Sequence, residues 1–149
     1  MKITDQEILT SIFHETAKKL PYFATNNYFG NQRGLGNTGE WSQRYATQIC
    51  TAYRENALKL GLSNTQSMIR IRKLIDSGYL VAEKVRPGQS FYFSLPDSET
   101  KPMFERTMEL LANGGITKEP VSDVGFDELA ANITEILVIE FGDKGKSIC

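Results

Sequence analysis

The chain has 149 residues, of which 40% are hydrophobic and 23% are charged, and its formal net charge is −1. This composition is typical of one folded domain, with or without an appended segment, and it excludes a disordered chain. The apolar runs are too short for a membrane-spanning helix, and the first residues lack the apolar core of a secretory signal. With two distant cysteines and one histidine, His14, neither a disulfide framework nor a histidine-based metal site is expected. These features predict a cytoplasmic protein.

The charges are unevenly distributed along the chain. Residues 31–90 carry a net charge of +5, whereas residues 91–149 carry −6. A basic middle beside an acidic end is typical of a surface that faces a polyanion and a separate segment that faces a partner. Ordinary scatter of surface charge is an equally good explanation at this point.

The first predicted helix covers residues 4–19. Thr4 and Glu7 form a capping-box pattern, and apolar residues follow at helical spacing. Pro21 is expected to end the helix. Residues 21–40 are rich in Asn and Gly and are predicted to be a loop inserted into the domain. Aromatic residues in and beside this loop either cover the core or form a surface for a ligand or partner: Tyr22, Phe23, Tyr28, Phe29 and Trp41.

Two more helices are predicted with a tight turn between them. The second helix covers residues 41–60 and ends at Gly61, and Glu55 and Lys59 on it are spaced for an i,i+4 ion pair. The third helix begins at Ser63, where Gln66 completes a second capping box, and ends at Gly78. Its predicted apolar face consists of Met68, Ile71, Leu74 and Ile75.

A β-hairpin is predicted directly after the third helix. Residues 79–85 form its first strand, and residues 90–95 alternate apolar and polar side chains as a half-buried strand does. Between them, residues 86–89 have Pro and Gly where a type II turn prefers them.

The segment from Leu60 to Leu95 resembles the winged helix-turn-helix family of DNA-binding domains. The resemblance lies in the stretch Leu60-Gly61-Leu62-Ser63 and in the later pattern Leu74-x-x-x-Gly78-x-Leu80 that enters the hairpin. It implies a mainly α fold with a small β-hairpin wing, formed by residues 1–96 with the loop insertion at 21–40. It also implies a sequence-specific DNA-binding regulator of transcription, of bacterial or phage type. The alternatives are a winged-helix module that binds protein instead of DNA, as an adaptor or inhibitor, and a small ligand-responsive sensor that uses the aromatic loop.

The resemblance makes the third helix the recognition helix for double-stranded DNA. Its face opposite the apolar stripe is predicted to carry Gln66, Arg70 and Lys73, and Arg and Gln side chains read base edges in the major groove. Ile69 lies on the same face, where it either meets a thymine methyl group or packs beneath a neighbouring segment, and packing is favoured. The predicted DNA-binding residues are Ser63, Asn64, Thr65, Gln66, Arg70, Lys73, Lys84, Arg86 and Gln89.

The sequence does not predict an enzyme, because its G-x-G-x-x-G match at residues 34–39 lacks the βαβ unit of a dinucleotide site. No nucleophile lies in a familiar catalytic pattern, and no pair of carboxylates lies beside a predicted cleft. We therefore expect a binding protein without catalytic activity, cofactor or metal.

Residues 97–149 are predicted to be an acidic helical extension. Helices are expected at residues 101–112 and 127–141, joined by a linker at 116–126. Because DNA regulators often pair on two-fold sites, we expect these helices to form a homodimer contact. The competing expectation is that both helices complete the monomer core and that their acidic face either meets another protein or partly shields the basic middle of the chain. The predicted contact residues are Phe104, Met108, Leu111, Ile133, Ile136 and Leu137.

Overall fold

The computed structural model describes residues 3–24, 51–83, 92–114 and 123–143. Within these ranges the chain forms five helices and three short strands. In chain order they are α1 (Asp5–Ala24), β1 (Thr51–Ala52), α2 (Tyr53–Leu60), α3 (Asn64–Asp76), β2 (Val81–Glu83), β3 (Tyr92–Ser94), α4 (Asp97–Asn113) and α5 (Asp123–Phe141). The prediction of a mainly helical fold with a small antiparallel β-hairpin is confirmed. In the described part of the chain, no helix has the length and apolar character needed to cross a bilayer.

The strands form one small antiparallel sheet with the order β1-β3-β2. Phe93 in the central strand pairs with Thr51 on one side and with Ala82 on the other, and its side chain is fully buried. The prediction that one helix runs from residue 41 to residue 60 is therefore wrong at Thr51 and Ala52. These two residues pair with β3, about 40 residues further along the chain. The spacing of apolar residues in the local sequence cannot predict a pairing at that distance. The helix begins at Tyr53.

Pro21 does not end the first helix, which continues to Ala24. A proline inside a helix has no N–H to donate, so the carbonyl of Ala17, four residues earlier, loses its usual partner. The hydroxyl of Thr134 in α5 lies 3.4 Å from this carbonyl oxygen, as well as 2.9 Å from that of Ala130. The packing of α5 against α1 thus supplies a polar neighbour where the proline removes one.

The C-terminal helices complete the monomer core, and four of the six residues predicted for a homodimer contact lie in that core. Helix α1 packs against both α4 and α5, and side chains from all three helices join α3 and the sheet in one apolar cluster. Met108 packs against that cluster and Ile136 is partly exposed. The other four predicted contact residues are buried inside the monomer: Phe104, Leu111, Ile133 and Leu137.

One apolar cluster contains residues from both sides of position 96, the predicted boundary between the winged-helix domain and the helical extension. Helix α4 begins at Asp97, four residues before the predicted start, where the Pro96 carbonyl accepts the N–H groups of Glu99 and Thr100 at 2.9 and 3.1 Å. The acidic first turn, with Asp97 and Glu99, favours this start because it complements the helix dipole.

Helix α5 also begins four residues before its predicted start, so the end of the expected linker at 116–126 is helical. Phe126 in this first part of α5 is buried and meets the ring of Tyr22 edge-on, with the ring centroids 5.2 Å apart. The Tyr22 hydroxyl donates to Asp127 Oδ1 at 2.8 Å. One aromatic residue of the predicted loop is therefore part of α1 and holds its end against α5.

Candidate nucleic-acid interface

A short turn joins α2 to α3, as predicted. Gly61 has a φ of 72°, a left-handed conformation that glycine adopts without strain. The N–H of Leu62 donates to the Ala57 carbonyl at 2.9 Å, which is the closing bond of a Schellman motif. Because α3 starts directly after this turn, local hydrogen bonds set the angle between α2 and α3.

The start of α3 is fixed by the predicted capping box. The Gln66 N–H donates to Ser63 Oγ at 3.1 Å, and the Ser63 N–H donates to Gln66 Oε1 at 3.2 Å. Both residues are exposed, but the amide oxygen of Gln66 is engaged by the backbone of its own cap. Ser63 and Gln66, two predicted DNA-binding residues, therefore stabilise the helix end in this structure. Asn64 and Thr65 are exposed in the same first turn.

The end of α3 is also set by local contacts. Gly78 has a φ of 87°, and the N–H of Tyr79 donates to the Leu74 carbonyl at 3.0 Å. This second Schellman motif ends the helix and turns the chain toward β2, with Leu80 buried in between.

The inner face of α3 is buried by Ser67, Ile71 and Leu74. The hydroxyl of Ser67 lies 3.4 Å from the side-chain oxygen of Asn56 in α2, and both residues are buried. This contact satisfies two polar groups at the crossing of the helices and so favours one arrangement of α2 and α3.

Two ion pairs hold α2 against α1. Lys59 pairs with Glu15 rather than with Glu55 on its own helix, and Glu55 lies 3.9 Å from Lys19. Partial burial raises the pKa of Glu15, but the hydrogen bond and charge of Lys59, helped by nearby lysines, outweigh it and leave that pKa below its ordinary value. The carboxylate therefore stays charged and keeps the pair intact at neutral pH.

Arg70 does not face outward, contrary to the sequence prediction. Its guanidinium donates to the Ile3 carbonyl and pairs with Asp5 Oδ1 at 2.6 Å, and only 26% of the side chain is exposed. Position 70 lies three residues after Ser67 and four before Leu74, so it borders the buried face of the helix. Arg70 thus joins α3 to the start of α1.

The outward face of α3 is polar and cationic around one aliphatic side chain. Arg72, which the sequence reasoning missed, is exposed, and so is Lys73. Centring the helical projection on Ser67, Ile71 and Leu74 would have placed Arg72 outside. Ile69 is 59% exposed, so the expectation that it packs beneath another segment is wrong. We define the outward face as Thr65, Ile69, Arg72, Lys73 and Asp76.

Three predicted DNA-binding residues, Lys84, Arg86 and Gln89, lie outside the described residues. Most of the predicted loop at 21–40 and the turn at 86–89 lie outside them as well.

One cavity formed by described residues lies between α1 and the end of α2. It has a volume of about 590 Å³, and Thr10, Ser11 and His14 contribute to its wall together with Lys59. The hydroxyls of Thr10 and Ser11 are buried and have no hydrogen-bond partner in the described part of the chain. No residue of the outward face of α3 lines it, so the cavity and that face are separate surfaces. Across the described ranges, no group of three or more His, Cys, Asp or Glu side chains is arranged to hold a metal ion.

Comparisons with known proteins give no match: no family model, no curated protein and no solved structure matches this chain. The case for a function therefore depends on the physical character of the exposed surfaces. Among these surfaces, the outward face of α3 carries cations and hydrogen-bonding groups. The helix that presents them is fixed at both ends.

Proposed function

We propose that the protein is a sequence-specific DNA-binding regulator of transcription of the winged helix-turn-helix type, with α3 as its recognition helix. The observation that carries this proposal is the outward face of α3. It presents Arg72 and Lys73 to solvent while the opposite face is buried. An α-helix fits the major groove of B-DNA, and cationic side chains there meet both phosphates and base edges.

The elements around α3 support the same function. The helix follows α2 through a short turn and leads directly into β2 and β3, the order that the sequence resemblance implies. Strand β1 adds a third strand beside β3 and runs directly into α2, so it links the hairpin to the helices. A recognition helix must keep its position when it enters a groove, and α3 is held by its caps, by Asn56 and by Asp5.

The distribution of charge also favours α3 over the C-terminal helices as the DNA-facing surface. Helix α5 exposes Asp127, Glu128, Glu135 and Glu140, which phosphates would repel. We therefore propose that α5 points away from the duplex, where its acidic face is available to a protein partner.

A salt-dependent gel-shift titration of the full chain on random duplex DNA tests the proposal. Binding should weaken linearly on a log–log plot against salt, because cations of the protein displace counterions from the phosphates. Lys73→Ala should reduce the slope by about one if Lys73 contacts a phosphate.

The matched control is Lys101→Ala, which removes an exposed lysine from α4. It should leave the salt slope as in the wild type. An equal loss in both variants would show that only overall charge matters. Absence of any binding at low salt would overturn the proposal and favour the protein-binding alternative.

A further inference from the structure

Ile69 lies near the middle of the outward face of α3, where an aliphatic side chain gains nothing from the core. It is 59% exposed, while Ile71 and Leu74 on the inner face are in the core and Ile75 packs against it. Its neighbours one helical turn away in both directions are polar and exposed: Thr65, Gln66, Arg72 and Lys73. Ile69 is therefore a single apolar group within a hydrogen-bonding surface that carries two cations, Arg72 and Lys73, and one carboxylate, Asp76.

This pattern does not suit a helix that binds a protein groove. Such helices present apolar anchors at i, i+3, i+4 and i+7, which together form a stripe. On α3 every position three or four residues from Ile69 on this face is polar, so no stripe exists. The pattern suits a surface that is polar and anionic with isolated apolar points. The major groove of DNA is such a surface, because thymine is the one base that presents a C5 methyl group there.

We propose that Ile69 contacts the C5 methyl group of a thymine in the major groove and thereby determines part of the sequence preference. This inference depends on the proposed DNA-binding function of α3. Arg72 and Lys73, one turn further along the same face, then lie beside adjacent base edges and phosphates. Because Ile69 carries no hydrogen-bonding group, the preference it confers is for the methyl group itself.

The chain contains a matched comparison for this residue. Ile139 in α5 is 77% exposed, so it is also an aliphatic side chain in solvent on a helix. Its neighbours four residues away are Glu135 and Asp143, both exposed and acidic. A phosphate backbone would be repelled from this position, so Ile139→Ala controls for the loss of an exposed isoleucine as such.

The experiment uses the full chain and a duplex selected by it from a random pool. Each thymine of that duplex is replaced in turn by deoxyuridine, which removes only the C5 methyl group and keeps the pairing edge. For the wild type, one replacement should weaken binding by about fourfold, which corresponds to burying one methyl group. Ile69→Ala should bind the thymine duplex about as weakly as the wild type binds the uracil duplex. It should not distinguish the two duplexes, whereas Ile139→Ala should distinguish them as the wild type does.

The outcomes separate the inference from the function on which it depends. If the wild type binds DNA but no uracil replacement weakens binding, or if Ile69→Ala keeps the full thymine preference, the inference is wrong and DNA binding stands. If the wild type selects no duplex and does not bind the random pool, both are overturned. Since Ile69 is exposed and alanine is a strong helix former, circular dichroism should show the variant folded as the wild type.

Discussion

Helices α3 and α5 bury their apolar residues in the same way, but the net charges of their outward faces have opposite signs. Each buries an apolar stripe and leaves one isoleucine in solvent, Ile69 on α3 and Ile139 on α5. Around Ile69 the exposed charges include Arg72 and Lys73, whereas the exposed charges described on α5 are all acidic. The buried stripe of a helix therefore indicates where the core is. The outward face indicates the sign of the charge on a partner that the helix can bind.

The two helices also differ in how they are held. Helix α5 is held mainly by apolar burial against α1, with Phe126, Ile133 and Leu137 in the core. Helix α3 combines Ile71 and Leu74 with polar contacts, from Ser67 to Asn56 and from Arg70 to Asp5. Substitutions of buried residues in α5 should therefore reduce stability most. Substitutions in α3 should act through single polar contacts.

The largest effect is expected for Leu137→Ala in α5. Leu137 is fully buried, and truncating a core leucine leaves a cavity, so the free energy of unfolding should fall by about 2–5 kcal/mol. Ile139→Ala, on the exposed side of the same helix, should change it by no more than about 0.5 kcal/mol. Urea titrations followed by circular dichroism measure both values. A loss that varies with protein concentration would instead place Leu137 in a dimer contact.

Arg70→Ala should have the next largest effect, because Arg70 holds α3 to the start of α1. Losing the partly buried ion pair with Asp5 and the bond to the Ile3 carbonyl should cost about 1–2 kcal/mol in the free energy of unfolding. Lys73→Ala, on the exposed face of the same helix, is the control and should cost less. In a double-mutant cycle, Arg70→Ala and Asp5→Ala should be non-additive. If Arg70→Ala were neutral for folding but weakened DNA binding, Arg70 would act as a base reader as the sequence predicted.

Ser63→Ala should cost about 1 kcal/mol in the free energy of unfolding, because it removes the hydroxyl that caps α3. Thr65→Ala changes an exposed hydroxyl two residues later and is the matched control, with a smaller expected cost. Thermal unfolding of the two variants side by side measures the difference. Equal stability of the two would mean that the capping box contributes nothing beyond an ordinary exposed side chain.

The smallest effect concerns Glu140 on the acidic helix α5 and the dependence of stability on pH. The hydrogen bond from Arg106 to Glu140, at 2.9 Å, lowers the pKa of Glu140 below its ordinary value of 4.5 despite some opposing desolvation. A carboxylate with a lowered folded-state pKa contributes stability above its unfolded-state pKa and loses it as pH falls through the folded-state value.

Because Glu140→Gln has no carboxylate to protonate at this position, the variant should lose less stability than the wild type does as the pH falls below about 4.5. Its companion is Arg106→Gln, which removes the partner of the same ion pair and should reduce that loss in the same way. Free energies of unfolding at a series of pH values measure the three curves. Identical curves for the wild type and Glu140→Gln would show that the Arg106 contact does not persist in solution.

Local signals in the sequence determined the ends of several elements. The capping boxes at Thr4 and at Ser63 form as predicted, and Gly61 and Gly78 end α2 and α3. Each of these signals is satisfied by backbone groups within about one helical turn, so no knowledge of the rest of the chain is needed. The same holds for the apolar character of Ile71 and Leu74, which helical spacing places on one face.

The tertiary structure alone decided which partners the elements meet. The sequence shows the apolar stripes of α4 and α5, but it does not show that these stripes cover α1. Lys59 meets Glu15 rather than Glu55, and Arg70 turns to Asp5 instead of facing outward. A proline-containing helix continues past Pro21 where Thr134 of α5 lies beside the Ala17 carbonyl. These choices depend on residues brought together from distant parts of the chain, and local spacing cannot encode which distant group arrives.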